Sequence, residues 1–140
     1  TERCGPALTR TMLNEMAGGA PDVIVFELGD GLLGTYGVDS ILRQPDIKTA
    51  LTAVALSAND PVAAWGGVKL LRERFGIEPA VVTGPATDNQ VGVEIIREQM
   101  NVEAFNAISN PAALGDHIID KLALSHARQP QAAGDQAVGE

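Results

Sequence analysis

Residues 26–37 read Phe-Glu-Leu-Gly-Asp-Gly-Leu-Leu-Gly-Thr-Tyr-Gly and come directly after the apolar run Pro-Asp-Val-Ile-Val at 21–25. Two chemistries compete for this stretch. Gly29, Gly31 and Gly34 spell G-x-G-x-x-G, the spacing of an NAD(P)-binding turn, in which glycines let backbone approach a pyrophosphate. Glu27 and Asp30 instead put two carboxylates at the end of a strand-like run. That arrangement suits Mg²⁺ beside a phosphate, because a hard cation takes ionised oxygen ligands and keeps several waters. On this second reading Glu27 is the metal ligand, and Glu27 and Asp30 are the catalytic acids. The dinucleotide reading further requires a helix that starts inside the motif and an acidic residue closing the next strand. Here Thr35, Tyr36 and Gly37 precede any helical sequence, and Pro45 interrupts the weakly helical residues 38–50. The next strand closes on Ser57-Ala58-Asn59-Asp60, where Asp60 serves better as a helix cap. Asp30 also places a carboxylate where a pyrophosphate would lie. The plainest alternative makes the acids solvated loop residues and the glycines turn formers.

A second loop, Thr83-Gly84-Pro85-Ala86-Thr87-Asp88-Asn89, precedes a helical pattern. Glycine permits close approach, and Thr87, Asp88 and Asn89 present hydroxyl, carboxylate and amide groups at a helix N-terminus. Thr83, Gly84, Thr87, Asp88 and Asn89 therefore join Gly29, Gly31 and Gly34 as cofactor-binding residues. A helix cap with a proline turn explains Pro85 and Asn89, but it does not require Thr83 and Thr87. Other chemistry is sparse. Ser57 has no histidine close in sequence and no G-x-S-x-G surrounds it. His117 and His126 lack metal-ligand spacing and read as surface helix residues, and Cys4 reads as an incidental thiol.

The elements that must position these loops alternate. Leu8, Met12, Leu13 and Met16 form a helical stripe over 6–16. Residues 22–28 form a continuous apolar, β-branched run, the pattern of a strand buried on both faces. Residues 38–50 are weakly helical around Pro45, and 51–56 read as a second buried strand. Asn59-Asp60-Pro61 opens a helix that Gly76 ends near Phe75. Residues 80–83 form a third strand, a helix capped by Asp88 or Asn89 runs to about Met100, and 102–108 form a short fourth strand. A last helix spans 111–127, and 128–140 is a polar tail with the composition of disorder. The fold expected for residues 1–127 is one α/β domain: an open, mostly parallel sheet of about four strands with helices on both faces, Rossmann-like and three-layered. Ligands of such folds gather at the strand carboxyl ends, where both loops lie.

At this level one family comes into view. Val25–Gly37, "VFELGDGLLGTYG", resembles the strand-Glu-Gly segment of P-loop NTPases of the dethiobiotin synthetase and cobyrinate amidotransferase type. Glu27 matches the metal-side Glu of that segment and Gly29 and Gly31 its loop, although Leu28 stands where the family has Gly. "LTAVALSAND" at 51–60 and "AVVTGPATDN" at 80–89 resemble later strands of the same fold. No G-x-x-x-x-G-K-[ST] occurs in the chain. The resemblance thus implies the C-terminal part of an ATP- and Mg-dependent, ligase-type enzyme acting on a small metabolite, its phosphate loop lying in an upstream domain. The remaining readings are an NAD(P)-binding domain, or a module that binds a small molecule or a protein without chemistry.

Net charge −8 over 140 residues repels phosphate backbones, so nucleic acid is not an expected partner. No run approaches the ~20 apolar residues of a membrane span. One cysteine leaves no internal disulfide, in keeping with a cytoplasmic setting. A small-molecule ligand, with a homo-oligomer or an upstream domain of the same protein, is the expected set of partners.

Overall fold

The computed structural model describes residues 4–128. Helix α1 (Gly5–Ala17) is followed by an irregular stretch, then by short helices α2 (Val38–Leu42) and α3 (Pro45–Ala50). Strand β1 (Ala55–Ser57) leads to α4 (Pro61–Leu70), which continues as a wider π turn (Leu71–Phe75). Strand β2 (Val81–Thr83), a 3₁₀ turn (Pro85–Thr87), α5 (Gln90–Met100), β3 (Glu103–Ala104) and α6 (Pro111–Arg128) complete the described residues. The sheet is parallel, in the order β1-β2-β3, with Ala55 opposite Val81 and Val82 opposite Ala104. The α/β class and the parallel sheet are as the alternating pattern predicts.

Local chemistry accounts for the boundaries. Pro61 and Pro45 sit at first helical positions, where a missing N–H costs nothing. The Asp60 carboxylate accepts from Ala63 N at 2.8 Å and caps α4, while Gly76, at φ 66°, ends its π turn. Asn89 caps α5 by accepting from Gly92 N at 2.9 Å.

Three strand expectations need correction. Residues 22–28 form no strand and pair with none among the described residues. Their side chains alternate between exposed and half-buried, with Val25 89% exposed, so the run is neither buried on both faces nor part of the sheet. β-branched composition favours extended backbone, but a ladder also needs a neighbour with free groups in register. Of residues 51–56 only Ala55 and Leu56 are strand; with Ser57 they form an edge strand with an exposed, half-buried, exposed pattern. The strand expected over 102–108 is also short. Its pairing extends to a Phe105 N to Val82 O bond of 3.1 Å, then Asn106 turns the chain.

Apolar burial gathers in two clusters. Ala64, Val68, Ile96 and Met100 of α4 and α5 close over Val82 and Ala104 of the sheet, with Leu56 against them. Gly67 is needed here, because a Cβ at that position would stand 2.8 Å from Leu56 Cδ2. The second cluster joins Val38 and Leu42 to Leu71, Phe75 and Ile77, and half-buried Leu28, Leu32, Leu51 and Val54 pack onto it. The tail beyond Arg128 lies outside the described residues.

Candidate functional site

The carboxyl ends of β2 and β3 converge on a hydrogen-bonded hub. Past Thr83 the chain crosses the end of β1. Gly84 adopts φ 86° and ψ −169°, a backbone state essentially confined to glycine. A side chain there would also stand 2.6 Å from Ser57 Oγ and 2.9 Å from the Ala58 carbonyl oxygen. The resulting turn buries Thr87, whose hydroxyl donates to the Gly84 carbonyl at 2.7 Å. From the other strand end comes Asn106, only 9% exposed. Its Nδ2 donates to Asp88 Oδ1 at 2.8 Å and, at 3.4 Å, to Thr87 Oγ1. Its Oδ1 accepts from Ile108 N at 2.9 Å and Ser109 N at 2.8 Å. One buried amide therefore ends β3, shapes the turn into α6 and ties that turn to the loop before α5.

Around this hub lies a cleft of about 220 Å³ lined by Thr87–Gln90, Val93, Arg97, Ala104–Asn106, Ser109 and Asn110. The N-terminal ends of α5 and α6 both open onto it. Arg97 is engaged at the cleft wall. Its Nη2 donates to the Ala104 carbonyl at 3.0 Å, its Nε lies 3.0 Å from Glu103, and its guanidinium sits 5.1 Å from the centre of the Phe105 ring.

Of the sequence-predicted residues, Thr87, Asp88 and Asn89 line this cleft, and Gly84 builds the turn that presents them. Thr83 ends β2, with its hydroxyl oxygen buried and unpaired among the described residues. Glu27, Gly29, Asp30, Gly31 and Gly34 form a separate loop that does not enter the hub. Glu27 is exposed. Asp30 folds over the turn closed by Gly34 N to Gly31 O at 2.9 Å, and a Cβ at Gly34 would overlap its carboxylate. Gly34 is thus required by Asp30, whereas a Cβ at Gly29 or Gly31 meets nothing within 4 Å. The strand-turn-helix frame of a dinucleotide site does not form here. The preceding run has no ladder, and the next helix begins only at Val38 and has 5 residues.

Among the described residues, no group of three or more His, Cys, Asp or Glu side chains is placed to hold a metal ion. An all-protein metal cage therefore does not fit. Magnesium carried by phosphates needs only one or two carboxylates. Exposed Glu27 can supply one, while the buried Asp30 Oδ2 is turned against Gly34.

His117 is half-buried: its Nε2 lies 2.9 Å from the Ala80 carbonyl and its ring 5.5 Å from that of Phe105. Asn106 is a site residue that the sequence reading misses. Its signal is an amide directly after the short run Val102–Phe105 and before the turn Ala107–Asn110. No known protein family, curated protein or solved structure matches this chain.

Proposed function

We propose that this chain is part of a nucleotide-dependent α/β enzyme acting on a small metabolite, and that the cleft at the ends of β2 and β3 receives the nucleoside end of the nucleotide. The observation that carries this reading is the Asn106 hub, a buried amide holding two loops around a cleft at the place where open parallel sheets bind ligands. Size supports the nucleoside rather than the whole nucleotide. About 220 Å³ is below the ~300–1,000 Å³ typical of complete ligand pockets, but it admits a ring system. Glu27 is the exposed carboxylate that would be offered to a Mg²⁺ carried by the phosphates, and a bound Mg²⁺ would offset phosphate charge there. In the assembled enzyme residues 22–28 form a fourth strand beside the free edge of β1, with helices on both faces of the sheet. The packing of Leu28 in one cluster with Val54 and Leu56 supports that placement.

The test is a titration of the isotope-labelled chain with ATP, GTP and NADH, each with and without Mg²⁺. Shifts confined to amides of Thr87–Gln90 and Asn106–Asn110 are expected, and a Mg²⁺ enhancement that Glu27→Gln removes. If no nucleotide at millimolar concentration moves the cleft amides, the reading is wrong.

A further inference from the structure

Asp88 and Arg97 are the charged side chains that line the cleft. Arg97 is paired with Glu103 through Nε and gives one Nη2 hydrogen to the Ala104 carbonyl. Asp88 forms no ion pair among the described residues, and its sole side-chain bond is the one its Oδ1 accepts from Asn106 Nδ2 at 2.8 Å. An ionised carboxylate offers about four acceptor positions, so Asp88 keeps its outer lone pairs on both oxygens for a ligand. Asn106 is itself held at Ile108 N and Ser109 N, which fixes the carboxylate it grips. Exposed Asp88 is thus a positioned, acceptor-only anion on the cleft wall.

We infer, resting on the nucleoside reading above, that Asp88 selects a ring edge with two adjacent N–H donors, the edge of a guanine-type base. A guanine ring presents its ring N–H and 2-amino group side by side and satisfies both carboxylate oxygens. Adenine presents one amino donor beside a ring-nitrogen acceptor, whose lone pair would face the carboxylate. Hypoxanthine keeps the ring N–H but lacks the amino group. Bonds to an ionised group are the stronger kind, so the missing amino group reads as about a tenfold loss of affinity.

The experiment titrates the labelled chain with guanosine, inosine, adenosine and arginine amide, monitoring the amides of Asp88, Asn89, Asn106 and Ser109. Guanosine is expected to bind tightest, inosine about tenfold weaker and adenosine weaker again. Asp88→Asn keeps an oxygen for Asn106 but loses the charge, and it should bring guanosine and inosine within about twofold of each other. Adenosine binding at these amides as tightly as guanosine would overturn the guanine assignment while leaving the nucleoside site in place. So would an unchanged guanosine preference in Asp88→Asn. Arginine amide moving these amides when guanosine does not would assign the cleft to a guanidinium and also end the guanine reading. Silence from all four ligands would remove both the base preference and the nucleoside site.

Discussion

Asn106 and Gly84 decide whether the cleft exists. Asn106→Ala removes the acceptor for two backbone N–H groups and the donor to Asp88 and Thr87. Ile108 is 91% exposed, so water reaches part of this turn, and the expected loss is about 1–3 kcal/mol rather than the sum of four bonds. Denaturant unfolding measures it, and a loss below about 0.5 kcal/mol, the range of an ordinary surface change, would show that the turn holds without its hub. Gly84→Ala is the harsher change, because backbone strain of about 1–3 kcal/mol is added to a clash with Ser57 and Ala58. Gly29→Ala and Gly31→Ala meet open space and should shift stability by no more than about 1 kcal/mol, on the stabilising side through the unfolded chain. The G-x-G-x-x-G spelling marks three similar positions, yet only Gly34 carries a packing demand. A sequence pattern does not distinguish a glycine that avoids a clash from one in open space.

Helix ends are the most legible elements because their causes are local. Asp60-Pro61 and Asn89 specify their helix starts within three residues, and Gly76 needs only a left-handed φ. Asp60→Ala should cost about 1 kcal/mol, read as a lowered melting temperature, because Ala63 N loses its acceptor. How helices α1–α3 are joined to one another and to the π turn after α4 is not legible, since it depends on ion pairs across tens of residues. Arg10 reaches Asp46 on α3, its Nε 2.5 Å from Oδ2, and Arg74 reaches Asp39 on α2 at 2.6 Å. The Arg10 guanidinium holds the Asp46 carboxyl down at about 2, and Arg43 with Arg74 holds that of Asp39 below the usual range. Both groups are depressed in the folded chain, so their contribution is complete above the unfolded value near 3.8 and disappears as pH falls toward 2. Thermal melts from pH 5 to pH 2 should therefore fall within that window. Asp46→Asn should flatten part of the fall, and an unchanged profile would mean that the Arg10–Asp46 pair contributes nothing to holding α1. The pairs are exposed, so salt should weaken the same effect.

At the scale of the molecule, alternation of helix and strand reveals a parallel α/β sheet but misjudges its width. β2 is central, with Val81 and Val82 fully buried, and its apolar run is read correctly from composition alone. The run at 22–28 is also rich in β-branched residues but has a different fate, because pairing is a property of two segments and composition describes one. Burial separates the two cases. If 22–28 were a central strand like β2, a charge at Val25 would be buried unpaired and would cost several kcal/mol. In the structure Val25 is 89% exposed, while Leu28 packs against the cluster of Leu71, Phe75 and Ile77. Val25→Lys should therefore change stability by no more than about 0.5 kcal/mol, whereas Leu28→Ala should cost more through lost packing. Hydrogen exchange supplies the matching backbone measurement. Amides 23–28 of the free chain should exchange near the unprotected rate and those of the β2 ladder slowly. Strong destabilisation by Val25→Lys, or slow exchange across 23–28, would place this run in the sheet of the isolated chain and overturn the three-stranded arrangement.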